Sequence, residues 1–96
     1  MTSMIFLLDD GGRIECANRK AISILGYDQD ELIGRHFIIF VHGKDVMSLM
    51  EAFKLPAGSM PFRMLRREAG PIYCGLLDQK IDQAEKFSFL VIRPNP

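Results

Sequence analysis

Apolar and polar positions divide the chain into strands, then helices, then strands again. Met4-Ile5-Phe6-Leu7-Leu8 is a short apolar run closed by Asp9-Asp10-Gly11-Gly12, and Arg13-Ile14-Glu15-Cys16-Ala17 follows with alternating polarity. Asp-Gly and Gly-Gly steps supply the positive-φ positions of a tight antiparallel turn, so this stretch predicts a β-hairpin. Asn18 ends the second strand and is placed to cap a helix carrying Ala21, Ile22 and Leu25 at helical spacing, with Gly26 as its left-handed terminator. Asp28 and Glu31 stand at the offset of a capping box before one short helical turn that Gly34 closes. The apolar cluster Phe37-Ile38-Ile39-Phe40-Val41 is too short for a full helix and reads as irregular with room for one turn. Val46, Leu49, Met50 and Phe53 recur with helical period between Lys44 and Leu55, which predicts the longest helix, broken by Pro56-Ala57-Gly58. Met60 to Arg67, Ile72 to Lys80 and Lys86 to Arg93 then predict three consecutive antiparallel strands, and Pro61 favours an edge position for the first of them. Two strands, several short helices and three strands make an α+β domain, with the helices on one face of the sheet.

Length and charge narrow the functions open to such a domain. Ninety-six residues form one domain, 1–96, with a single core. Twelve basic residues balance twelve acidic ones, so neither nucleic acid nor an anionic membrane surface is an expected partner. No apolar run approaches the length of about 20 residues needed to span a bilayer. Residues 1–8 lack a basic leader and a cleavage site, so a soluble, cytoplasmic protein is expected. Cys16 and Cys74 are not at a metal-ligand spacing and read as buried free thiols. The chain has no nucleophile elbow, no phosphate-binding glycine loop with lysine and no histidine pair at ligand spacing. Neither catalysis nor a bound metal is expected.

Taken together, Asp9-x-Gly11-Gly12-x-Ile14, Asn18, Leu25-Gly26-Tyr27-x-x-x-Glu31-Leu32-Ile33-Gly34, Val41-His42-x-x-Asp45 and Arg66-Arg67-Glu68-Ala69-Gly70 resemble the PAS consensus in order along nearly the whole chain. Two departures stand out: glycine rather than proline follows His42, and the chain ends at Arg93-Pro94-Asn95-Pro96 rather than in an Asp-Ile-Thr sequence. The resemblance implies a five-stranded antiparallel sheet in spatial order 2-1-5-4-3. It also implies a regulatory sensory and dimerisation module of signal transduction, a piece of a larger protein such as a sensor histidine kinase in a two-component system, joined to an output domain. In that strand order Cys16 and Cys74 lie three strands apart, roughly 14 Å, beyond the about 7 Å a disulfide allows.

On this fold the inner face is expected to line a ligand pocket with Ile14, Cys16, Ile22, Leu25, Phe37, Ile39, Val46, Met50, Phe62 and Met64. A small-molecule ligand and a collapsed, filled core both stay open. Asn18, Tyr27 and Asp45 are expected as structural polar residues, with Asp45 placed to cap the long helix. The first and last strands are apolar at nearly every position, which is unusual for a sheet with one solvated face. Ile5, Leu7, Tyr73, Leu77, Leu90 and Ile92 are therefore candidates for an outer face that joins two copies as a homodimer. No cofactor is expected. The alternatives are a purely structural dimerisation domain with a filled core and a haem or flavin sensor, with His36, His42, Met47 or Met50 to coordinate a haem, while the Asn-Cys-Arg-Phe-Leu string of covalent flavin photoreceptors does not occur.

Overall fold

The computed structural model describes residues 3–54, 61–82, 84 and 86–95. Five strands form one antiparallel sheet: β1 (Met4–Leu8), β2 (Ile14–Ala17), β3 (Pro61–Met64), β4 (Ile72–Asp82) and β5 (Phe87–Asn95). Their spatial order is β2-β1-β5-β4-β3, as the sequence resemblance implied. Three short helices, α1 (Arg19–Leu25), α2 (Gln29–Leu32) and α3 (Val46–Ala52), lie between β2 and β3 with two 3₁₀ turns, Phe37–Phe40 and Gly43–Asp45. The stretch expected as one long helix is thus a 3₁₀ turn running into α3, whose seven residues only equal α1. Leu55 to Met60, which include the expected Pro56-Ala57-Gly58 break, lie outside the described residues.

Local chemistry explains the element ends. Gly12, Gly26 and Gly34 take positive φ at the hairpin turn, after α1 and after α2. Glu31 reaches back to accept the Asp28 N–H at 3.0 Å, the expected reciprocal contact at the start of α2. Side-chain nitrogens of His36 and His42 accept the Ile38 and Lys44 N–H groups and so open the two 3₁₀ turns.

Both sheet edges are partly covered by the chain itself. The Ile14 N–H donates to the Arg35 carbonyl at 2.8 Å and the Gly34 N–H to the Ile14 carbonyl at 2.8 Å, along β2. At the opposite edge, β3 bonds to residues 40–45: the His42 N–H donates to Arg63 and the Leu65 N–H to Phe40, each at 2.8 Å. Pro61 sits on that edge strand, where its missing donor does no harm. At these positions the edge groups are bonded to the chain's own loops, which resists strand addition there.

The core lies between the sheet's inner face and the helices. Met4, Phe6, Ile14, Leu25, Leu32, Phe37, Leu49, Phe62, Met64, Cys74, Leu76 and Ile92 are all essentially inaccessible. Phe6 and Phe37 meet edge to face with centroids 5.1 Å apart, and Tyr27 meets Phe40 the same way at 5.0 Å.

Three face assignments made from sequence are corrected here. Cys16 is exposed, not buried in a pocket. A register shift between Leu7 and Leu8 interrupts the alternation of β2, so Ile14 and Ala17 point inward while Glu15 and Cys16 point out. Leu90 and Ile92 belong to the core rather than to the outer face. Their strand pairs Ile5 with Val91 and Leu7 with Phe89, and directly paired residues share a face, so the outer positions are Phe89 and Val91. Ile39 is 51% exposed because its 3₁₀ turn buries Phe37 and Phe40 instead.

Candidate functional site

Four surfaces carry the residues singled out from sequence. On the inner face, Ile14, Leu25, Phe37, Phe62 and Met64 are buried in one cluster, with Ile22 and Val46 packed against its margin. They fill the space between sheet and helices. A macrocycle there would have to displace Phe6, Phe37 and Phe62, so the interior does not fit haem. His36 and His42 each commit one ring nitrogen to a local backbone N–H.

An open cleft of about 310 Å³ lies at one end of the sheet. Its walls are the hairpin turn Leu8–Gly12, the segment His36–Ile38, Met50 and Phe53 of the α3 region, and Gln79, Ile81, Ser88 and Leu90 from the β4–β5 ends. Of the expected pocket residues only Phe37 and Met50 reach it. Leu8, Phe53, Gln79, Ile81 and Ser88 were missed, because distant segments contribute them and no local pattern links those segments.

The outer face is an apolar strip along the central strands. Ile5 (38% exposed) and Phe89 (46%) stand beside half-buried Leu7 and Val91, and Asp78 and Lys80 of β4 flank them. Tyr73 and Leu77 are exposed too, and a register shift between Leu76 and Asp78 accompanies Leu77.

The polar residues hold elements together. The Asn18 amide oxygen accepts the Ala21 N–H at 3.0 Å and the Ile5 N–H at 3.1 Å, while its nitrogen donates to the Ser3 carbonyl at 3.0 Å. It caps α1 and ties β1 to it. Asp45 precedes α3 but makes no side-chain cap, contrary to expectation. Its carboxylate instead accepts the Arg63 N–H and Nε, each at 2.8 Å, and Nη2 at 2.9 Å. That bidentate fork clamps the β3 edge, and the Arg63 guanidinium lies 5.7 Å from the Tyr73 ring centroid. Arg67 donates to Glu31 at 2.6 Å and its N–H to the Leu25 carbonyl at 2.9 Å, fastening the β3–β4 turn to the helices.

Electrostatics follow these contacts. Hydrogen bonding to Arg63 lowers the Asp45 pKa to about 2 despite some desolvation. Burial pushes the Cys74 thiol up to about 11, which makes it inert at neutral pH. Burial also raises the Tyr27 phenol, with the Glu31 charge adding to the effect. Because the folded carboxyl of Asp45 is depressed, its contribution to stability is present above about pH 4 and fades as pH falls toward about 2. Denaturation of Asp45→Asn against the parent is expected to show a gap at pH 7 that narrows steadily below pH 4. A gap that stays constant with pH would reject the ion pair as its source.

The sequence pattern of the PAS fold matches residues 1–91. The chain belongs to the PAS family. Similar solved structures include the PAS domain of a Desulfitobacterium hafniense protein, with a TM-score of 0.76 at 23% identity, covering 99% of this chain and 94% of that one. The PAS domain of an HTR-like protein from Haloarcula marismortui aligns at 0.70 and 24% identity, covering 97% and 81%. The LOV domain of a blue-light activated histidine kinase from Erythrobacter litoralis aligns at 0.76 and 13%, covering 98% and 96%. No curated protein sequence matches the chain. PAS domains are sensory and signalling modules, and the fold of this one agrees in strand order with what its sequence implied. Among the described residues no helix is long and apolar enough to cross a membrane, and no cluster of three metal-ligating side chains occurs.

Proposed function

We propose that this PAS domain is a non-catalytic regulatory module that forms a homodimer through its outer sheet face and passes binding events to an output domain joined to it in a cytoplasmic signalling protein. The observation that carries this reading is the apolar strip of Ile5, Leu7, Phe89 and Val91 on the two central strands. That strip is an extended apolar surface suited to association. Asp78 and Lys80, of opposite charge at its margin, suit contact with a second copy of the same face. A binding event that favours one packing of two such faces over another changes the relative placement of whatever is attached to each protomer. The buried inner-face cluster supports placing the recognition surfaces outside the core.

Sedimentation velocity tests the reading. The domain is expected to sediment as a dimer at tens of micromolar, and Phe89→Glu, which sets a charge in the middle of the strip, as a monomer with unchanged far-ultraviolet circular dichroism. A parent protein that stays monomeric, or a variant that still dimerises, rules the outer face out.

A further inference from the structure

The cleft beside the hairpin turn has a composition of its own. Its lining is largely apolar, with Ile38, Met50, Phe53 and Ile81 presenting accessible surface and Leu8, Phe37 and Leu90 almost fully buried, and at about 310 Å³ it stands at the lower end of the about 300–1,000 Å³ range in which small molecules bind. Charge on the lining is one-sided: Asp9 and Asp10 are acidic, and among the described residues no lysine or arginine is present on it.

The two carboxylates are differently placed. Asp9 is committed to the turn, accepting the Gly11 and Arg13 N–H groups at 2.9 Å each. The Asp10 carboxylate, one residue on, makes no side-chain contact of that kind and stands exposed at the mouth. Arg13, the nearest cation along the chain, sends its guanidinium to the Gly34 carbonyl at 2.9 Å and is not on the lining. An open apolar cleft with an acidic mouth and, among the described residues, no lysine or arginine on its lining favours a guest with an apolar body and a positive head.

From this complementarity we infer that the cleft is a binding site for small amphipathic organic cations, the apolar part seated against Met50, Phe53 and Ile81 and the ammonium group at Asp10. The inference goes beyond the dimer reading and does not depend on it. A guest here touches the β1–β2 turn, the α3 end and the β4–β5 ends together, so it would couple the helical layer to the two strands that meet the outer strip.

Three probes with one body and different heads provide the test: phenylbutylamine, phenylbutanol and phenylbutyrate, titrated into isotope-labelled domain and followed by amide chemical shifts. The amine is expected to bind with a Kd of about 0.1–5 mM, as suits so small a ligand, and to move the resonances of Gly11, Gly12, Phe53 and Ser88. The alcohol is expected to bind more weakly and the acid most weakly. Asp10→Asn is expected to weaken the amine about three-fold, the size of an exposed charge contact, and to leave the alcohol unchanged. Ile81→Trp, placed at an exposed position on the mouth, is expected to weaken all three by filling space. Equal affinity for the acid and the amine, an amine insensitive to Asp10→Asn, or no amine binding at several millimolar would each overturn the inference. Sedimentation of the same samples reads the dimer separately, so failure of one proposal is not mistaken for failure of the other.

Discussion

Phe6→Ala is expected to lower folding stability by about 3–5 kcal/mol, the range for deleting a fully buried aromatic ring. Phe6 sits on β1, a central strand, with no exposed surface and its ring edge to face with Phe37. The loss combines transfer of the ring with a cavity that two flanking strands hold open. Since small domains have about 5–15 kcal/mol in total, the variant should unfold at a much lower denaturant midpoint with little change in slope. Urea denaturation in dilute protein measures it. A loss below about 1 kcal/mol would mean that Phe6 does not face the core. Adding Phe37→Leu in a double-mutant cycle separates the ring contact, expected at about 0.5–1.5 kcal/mol, from simple burial.

Gly12→Ala should have the second largest effect, about 2–4 kcal/mol. Gly12 adopts φ +84, a left-handed conformation that costs an L-residue about 1–2 kcal/mol. The methyl group would also stand 2.7 Å from Nε2 of His36, closer than side chains approach one another. His36 cannot simply swing away, because its other ring nitrogen accepts the Ile38 N–H at 3.3 Å while the Phe37 N–H donates to the Gly12 carbonyl at 2.9 Å. Strain at this turn therefore spreads into the segment that forms one wall of the cleft. Thermal denaturation should show Gly12→Ala, His36→Ala recovering part of the loss relative to Gly12→Ala alone, with the conformational share of about 1–2 kcal/mol remaining. A double variant no more stable than the single one would show that the clash with His36 does not matter.

These two residues also mark how far reading the sequence reached. Gly12 was legible as a positive-φ turn residue because a hairpin turn depends on its immediate neighbours. Its second role, making room for His36, was not, since the two residues meet only when the loop after α2 returns to the edge of β2. Asn18 was legible as a helix cap for similar local reasons, whereas its bond to the Ile5 N–H follows from β1 lying directly beside β2. Asp45 shows the opposite case. It holds the position from which a residue caps a helix, yet an arginine on a later strand offers three donors, and a fork of charge-assisted bonds outweighs a single cap.

The faces of the sheet were the least legible feature. Alternation reveals which side of a strand is inside only when one side is polar. In β5, Phe89, Leu90, Val91 and Ile92 are all apolar, so both parities look alike and pairing with β1 makes the choice. In β2 the alternation was visible but misleading at Cys16, because the shift opposite Leu7 and Leu8 inserts a change of phase. The cleft was beyond reach for a related reason: its walls come from five segments spread between Leu8 and Leu90.

The sequence by itself therefore determined the elements, their order and the family, since turns, caps and helical periods rest on interactions within a few residues, and the family pattern is a series of such local signals in order. Tertiary structure alone decided which apolar residues face the core and which form the outer strip, what Asp45 binds, and where a cleft opens. Those outcomes depend on strand register and on contacts between residues far apart in the chain, and a shift of one residue in register turns a strand's side chains to the opposite face.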